Sequence, residues 1–347
     1  MRANDDEEPG EETGTFGPLF DNRGTMAALA ASDENLPAPP PRTAFLVAYD
    51  RLAELASAAR KPGFAVAAID PRARLAGGVL CEAGSPLTIG RHTKCRLQLA
   101  SSAISLRHMA ALVLAEGGAP KLQVWDLNTK LPFRAEDGQE SGALASDGPT
   151  YVSIGAYALW FLPCSPSVKW PERAGDAWTS MPPRTFVDRR APTAADKRAG
   201  VDALPPPRLR GGPYRGLEEP SRVTTQASPL LLGDDEEPEI AWGTIRLQAG
   251  MAKAKRRVSA ERLEQGLLIG RYERCGLSLG EIDRNVSRVH FLLVRIGADV
   301  WAIDTGSTNG VRRNGRAIEA EVLADVDRVE FGSRMILDWQ RLEHPEA

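Results

Sequence analysis

The chain has 347 residues, 42% of them hydrophobic and 26% charged, with a formal net charge of -3. That length suits about two domains, each able to bury its own core, and a slightly acidic balance argues against a dedicated nucleic-acid binder. The four cysteines, Cys81, Cys95, Cys164 and Cys275, lie far apart and form no CxxC or Cys/His cluster, so neither a metal site nor a cofactor is expected, and a reducing compartment is the default.

Residues 1–41 open on the acidic run Asp5-Asp6-Glu7-Glu8 and close on a proline run from Pro37 to Pro41. With few large apolar residues, this reads as a disordered acidic, Pro-rich tail. It holds no signal-like apolar segment, and the chain has no 18-residue apolar stretch, so the expectation is a cytoplasmic protein with no membrane contact. From Thr43 to Arg60, Leu46, Tyr49, Leu52, Leu55, Ala56 and Ala59 recur at steps of three and four. That spacing predicts an amphipathic helix, capped by Thr43 and stopped by Pro62-Gly63.

Beyond Gly63 the pattern becomes short apolar runs broken by glycine, proline and polar pairs: 64–69, 78–81, 87–89, 109–114, 122–125, 151–154 and 157–162. Such punctuation predicts an all-β sandwich, so residues 42–164 form a helix plus sandwich. The stretch 165–238, rich in proline and arginine and containing Pro205-Pro206-Pro207, reads as a long disordered linker. A second strand series follows in residues 239–343, at 240–247, 267–269, 277–279, 290–294, 300–303, 328–331 and 335–339. It repeats the first, so the fold class is all-β with two antiparallel sandwiches.

Polar loop residues recur in the same order in both halves. The second half carries Gly270-Arg271, then Ser287-Arg288 and His290, then Asp304-Thr305-Gly306-Ser307-Thr308-Asn309-Gly310, and Asn314-Gly315. The first carries Gly90-Arg91, Ser105, Arg107-His108 and Asp126. Cys95 and Cys275 each stand four residues after the arginine, as small core residues would. Loop lengths drift: Arg91 to Ser105 spans 14 positions and Arg271 to Ser287 spans 16, while His108 to Asp126 spans 18 and His290 to Asp304 spans 14.

This ordered set resembles the forkhead-associated (FHA) domain, a phosphothreonine-reading β-sandwich, with a fuller match in the second half. The resemblance implies a phosphothreonine site at Arg271, Ser287, Arg288, Thr308 and Asn309, supported by Gly270, His290, Asp304 and Gly310. The chemistry suits those residue types. A phosphothreonine carries about -1.5 to -2 charges and three acceptor oxygens, which a planar guanidinium and a short hydroxyl can meet with charge-assisted bonds. An asparagine amide both donates and accepts, so Asn309 can hold the peptide backbone on either side of the modified residue.

In the first half Gly90, Arg91, Ser105 and His108 are kept, but Leu106 stands where Arg288 stands, and Lys130-Leu131 replace Thr308-Asn309. A degenerate site is expected there, with Asn128 and Lys130 as the residues that could compensate. Thr13 and Thr15 follow acids in the tail, as in the phosphorylated tails of some bacterial FHA regulators, and are candidate phosphoacceptors. The basic run Lys253, Lys255, Arg256 and Arg257 reads as a solvated hairpin tip. No Walker loop, kinase catalytic run, nucleophile elbow or zinc helix is present, so an enzyme is not expected. The resemblance implies a phosphothreonine-dependent adaptor whose partner is a serine/threonine kinase or its substrate. The alternative is a phospho-independent scaffold.

Overall fold

The computed structural model describes residues 33–190, 208–210, 220–226, 229, 238–280 and 283–342. Thr13 and Thr15 lie outside the described residues. Helix α1 (Pro41–Ser57) begins with a proline at its first position rather than with a Thr43 cap, because proline's fixed φ suits a first turn whose N–H is unpaired anyway. It lays Phe45, Ala48, Tyr49 and Leu52 against one sheet of the first sandwich.

That sandwich comprises β1 (Gly63–Ile69), β2 (Leu75–Glu82), β3 (Leu87–Gly90), β4 (Leu97–Gln98), β5 (Met109–Glu116), β6 (Ala119–Asp126), β7 (Phe133–Ala135), β8 (Glu140–Ser141), β9 (Ala143–Ser146), β10 (Thr150–Ile154) and β11 (Tyr157–Cys164). One sheet has the order β2-β1-β11-β10-β7-β8, and the other contains β9-β6-β5-β3-β4.

The stretch expected to be tail and linker is partly built into this sandwich. Asp33 pairs with Arg72 at 2.9 Å, Glu34 accepts from Ser101 Oγ and Ser102 Oγ, each at 2.8 Å, and Tyr151 donates to Pro39 O at 2.7 Å. The domain therefore starts before residue 42. Downstream, α2 (Ala174–Ser180) is followed by β12 (Arg184–Asp188), β13 (Arg208–Arg210) and β14 (Ser221–Gln226). Strand β14 pairs antiparallel with β9, and β12 lies parallel beside it. Trp178 stands edge-on to Trp160, and Arg184 binds Glu136 at 2.7 Å while its guanidinium lies over Trp160. Trp178 packs into the cluster beneath α1 and the β-branched strand β14 pairs with β9, partners far away in sequence that outweigh the proline-rich composition.

The second sandwich comprises β15 (Gly243–Ala249), β16 (Ala252–Val258), helix α3 (Ala260–Gln265), β17 (Leu267–Gly270), β18 (Leu277–Ser278), β19 (Phe291–Ile296), β20 (Asp299–Asp304), β21 (Val311–Arg313), β22 (Arg316–Ile318), β23 (Ala320–Leu323), β24 (Val326–Phe331) and β25 (Met335–Arg341). Its sheets, β16-β15-β25-β24-β21-β22 and β18-β17-β19-β20-β23, repeat the first sandwich strand for strand. The basic run is strand β16 and not a hairpin tip, paired with β15 from Val258 to Ala252. Lysine and arginine on such an outer strand keep its open edge from pairing with other chains.

The two sandwiches pack face to face. Alternate residues of β5 point opposite ways, so Met109, Ala111 and Val113 fill the first core, whereas Ala110 and Leu112 join Trp125, Leu127 and Ala143 in a cluster with Leu268, Val289, Leu292, Val294 and Ile303 of the second sandwich. Across β19, Phe291 and Leu293 turn into the second core. Strands buried on both faces lose the apolar-polar alternation and read as continuous hydrophobic runs, as β5 and β19 do. Among the described residues, no helix is long and apolar enough to cross a membrane.

Candidate functional site

The site is built where β17 ends. Gly270 has no room for a side chain, since a Cβ there would approach the Arg288 carbonyl carbon to 2.9 Å and Val289 Cα to 3.0 Å. This close crossing lets Arg271 N donate to Ser287 O at 3.0 Å and Tyr272 N to Arg288 O at 2.9 Å. The arginine loop is thus joined to the serine loop by backbone bonds. Beneath them, the buried thiol of Cys275 donates to Arg288 O, and burial pushes its pKa up to about 12, so it acts as an inert core group.

His290 ties the serine loop to the next one. Its Nδ1 accepts from Ser287 N at 2.9 Å and its Nε2 lies 3.1 Å from Gly310 O. That pairing assigns a neutral ring with the proton on Nε2, and burial lowers its pKa, against a smaller raising effect from Gly310 O. The unfolded chain therefore takes up the proton first as pH falls below the ordinary histidine range. Stability contributed by the neutral ring is full above about pH 6.5 and declines below it. Thermal melts between pH 7.5 and 5 should show a smaller acid-side fall in melting temperature in His290→Gln than in wild type, the remainder including buried His108, whose pKa burial lowers to about 4.

The third loop is held by Asp304, whose Oδ1 accepts from Ser307 N at 2.7 Å and whose Oδ2 accepts from Ser307 Oγ at 3.2 Å. Its left-handed glycines Gly306 and Gly310, at φ 78° and 75°, adopt a conformation that costs glycine nothing sterically. Thr308 N then reaches Ser287 Oγ at 3.0 Å, and Asn309 Nδ2 donates to Asn285 O at 2.7 Å. Asn285 carried no recognisable signal in the sequence.

Arg271, Ser287, Arg288, Thr308 and Asn309 therefore gather on three adjoining loops. Arg288, Thr308 and Asn309 are exposed, Ser287 is buried and Arg271 is half-buried. The Nε of Arg271 is shielded from solvent and has no acceptor among the described residues. A shielded, unpaired guanidinium nitrogen favours an anionic oxygen as its partner. Next to Asn309 runs a groove of about 670 Å³, bordered by Asn285, Arg312, Glu330 and Arg334. Its far wall is fixed by Asp283, which accepts from Ser333 N at 2.9 Å and Ser333 Oγ at 2.8 Å. Burial would raise that carboxyl, but the bonds from Ser333 and Asn285 outweigh it and bring it down to about 2.

The corresponding loops of the first sandwich share the backbone frame but differ in their side-chain contacts. Arg91 N donates to Ser105 O and His92 N to Leu106 O, a Cβ on Gly90 would strike the backbone of Ser105 to Arg107, and His108 Nδ1 accepts from Ser105 N while its Nε2 faces Leu131 O. The Arg91 guanidinium, however, donates from Nε to the backbone oxygen of Ile104 at 2.9 Å. Asn128, in a left-handed conformation at φ 60°, directs its amide to Arg274 O of the second sandwich at 2.7 Å. Lys130 is exposed and leaves the threonine-asparagine pair unreplaced.

Residues 267–332 match the FHA domain. Among solved structures, the chain is similar to the FhaA FHA domain at 26% identity and a TM-score of 0.24, covering 28% of this chain and 99% of that one. EmbR of Mycobacterium tuberculosis, solved in complex with a low-affinity phosphopeptide, shows 22% identity and a TM-score of 0.25, with 31% of this chain and 26% of that one covered. The FHA domain of the CT664 protein from Chlamydia trachomatis shows 22% identity and a TM-score of 0.26, covering 29% and 98%. No curated protein matches the chain.

Proposed function

We propose that the chain is a non-catalytic adaptor whose second sandwich binds phosphothreonine in a protein partner, a serine/threonine kinase or a kinase substrate. The observation that carries this reading is the half-buried Arg271, whose shielded Nε has no acceptor among the described residues, on a loop bonded through its backbone to Ser287, which is in turn linked to Thr308 by hydrogen bonds. In this reading Arg271 and Arg288 neutralise the phosphate, Ser287 and Thr308 donate to its oxygens, and Asn309 turns from Asn285 O to the peptide backbone. The groove beside Asn309 accommodates the residues that flank the phosphothreonine.

The first sandwich is a degenerate copy of the same module. Its identical strand order supports common descent, and the bond from Arg91 to Ile104 O supports loss of phosphate binding. Arg91→Ala should accordingly change phosphopeptide affinity less than about twofold, since it removes a bond made to the sandwich's own loop.

Fluorescence anisotropy with a labelled phosphothreonine peptide pool and its unphosphorylated twin tests the function. Binding of the phosphorylated pool alone is expected, weakening below about pH 6 as the phosphate loses its second charge. Equal binding of both pools would favour the phospho-independent scaffold instead.

A further inference from the structure

Both loops that flank the second sandwich's site rest on the first sandwich. Arg107 Nε donates to Gly306 O at 2.6 Å, and Gly306 begins the turn that carries Ser307, Thr308 and Asn309. Asn128 Nδ2 donates to Arg274 O at 2.7 Å, in the loop headed by Arg271. Lys94 Nζ stands 3.5 Å from Thr308 O at the exposed rim of the same contact.

The asymmetry of these contacts is informative. Arg107 and Val289 occupy equivalent places, each directly before the bracing histidine. Val289 is buried in the apolar seam between the sandwiches, whereas Arg107 crosses that seam and reaches a carbonyl of the opposite recognition turn. Its Nη2 is shielded from solvent without a partner among the described residues, a cost that simple packing by an apolar residue would avoid. The turn it reaches contains two left-handed glycines and so has much backbone freedom to lose when a ligand binds. A turn already held in place loses less.

We propose that the first sandwich is a built-in positioning element for the phosphothreonine site, with Arg107 holding the Thr308–Asn309 turn and Asn128 holding the Arg271 loop. The inference rests on the phosphothreonine reading of the second sandwich. It accounts for a copy that retains its frame while its own contact residues have changed: Arg107 and Asn128 serve the neighbouring site instead of a ligand. Arg107 is a positioning residue and touches no part of the peptide.

The test uses the full chain, the same labelled phosphothreonine peptide pool and parallel thermal melts. Arg107→Met keeps most of the side-chain volume without a donor and should weaken binding about tenfold, the scale of one charge-assisted bond. Arg107→Lys restores a donor and should recover most of the affinity. Asn128→Gly keeps the left-handed backbone, removes the amide, and should weaken binding severalfold even if Arg107→Met fails to fold. Leu114→Ala loosens the seam at its far end, so it should lower the melting temperature while affinity stays within about twofold. Wild-type affinity in both Arg107→Met and Asn128→Gly overturns the proposal, and so does a loss in Leu114→Ala equal to theirs. Arg271→Ala separates the two ideas. If it binds like wild type, the phosphothreonine reading itself fails; if it abolishes binding while the seam variants do not weaken it, only the positioning role fails.

Discussion

Replacing Arg271 with alanine should abolish phosphothreonine-peptide binding and leave the fold intact. Its side chain makes no hydrogen bond or ion pair among the described residues, and its Nε is both shielded and unpaired, so removal relieves a polar mismatch in the free protein. In the complex the same group would supply two charge-assisted bonds of about 1.5–3 kcal/mol each, which corresponds to a loss of more than about a hundredfold in affinity. Arg271→Lys should fall between the two, because an ammonium keeps the charge but not the planar fork. Anisotropy titration with the phosphorylated pool, alongside a circular dichroism melt, reads both quantities. Affinity retained in Arg271→Ala would place the binding surface elsewhere.

Gly270→Ala should be the most damaging small substitution near the site. The added Cβ would meet the backbone of Arg288 and Val289, and backbone gives way less readily than a side-chain tip. Separating the strands would strain the bonds from Arg271 N to Ser287 O and from His290 N to Ile269 O, at 3.0 and 2.8 Å. Overpacking of this kind costs about 1–3 kcal/mol. Binding should suffer beyond that loss, since the displaced loop carries both Ser287 and Arg288. Comparing chemical-denaturation midpoints with phosphopeptide affinity distinguishes the effects, and an alanine variant equal to wild type in both would overturn the steric account of this crossing.

The sandwich strands were legible because their inward residues face cores of ordinary alternation or unbroken apolar runs. The loops between the strands were legible because a turn with a left-handed residue needs glycine or asparagine, as at Gly306, Gly310 and Asn314. Short strands such as β7, β8, β21 and β22 left no such trace, with only two or three residues each. The strands β12 and β14 were hidden for a different reason. Their stability comes from the open edge at β9, whose presence no local pattern near residues 184–226 reports.

The roles of Arg107 and Asn128 illustrate the same division. Within the sequence Arg107 is one more arginine beside a bracing histidine, and Asn128 is one residue of a broken motif. By itself, the order of residues along the chain determined that two sandwiches form and that Arg271, Ser287-Arg288 and Thr308-Asn309 fall in loops between strands of the second, since those properties depend on periodicity and on turn chemistry at fixed loop positions. Only the tertiary structure decided that Arg271 Nε is left without an acceptor among the described residues, that Arg91 turns to its own loop, and that the first sandwich bonds to two loops of the second. These outcomes arise from contacts between surfaces distant in sequence, where the apolar seam of Trp125, Leu292 and Ile303 sets which polar groups meet.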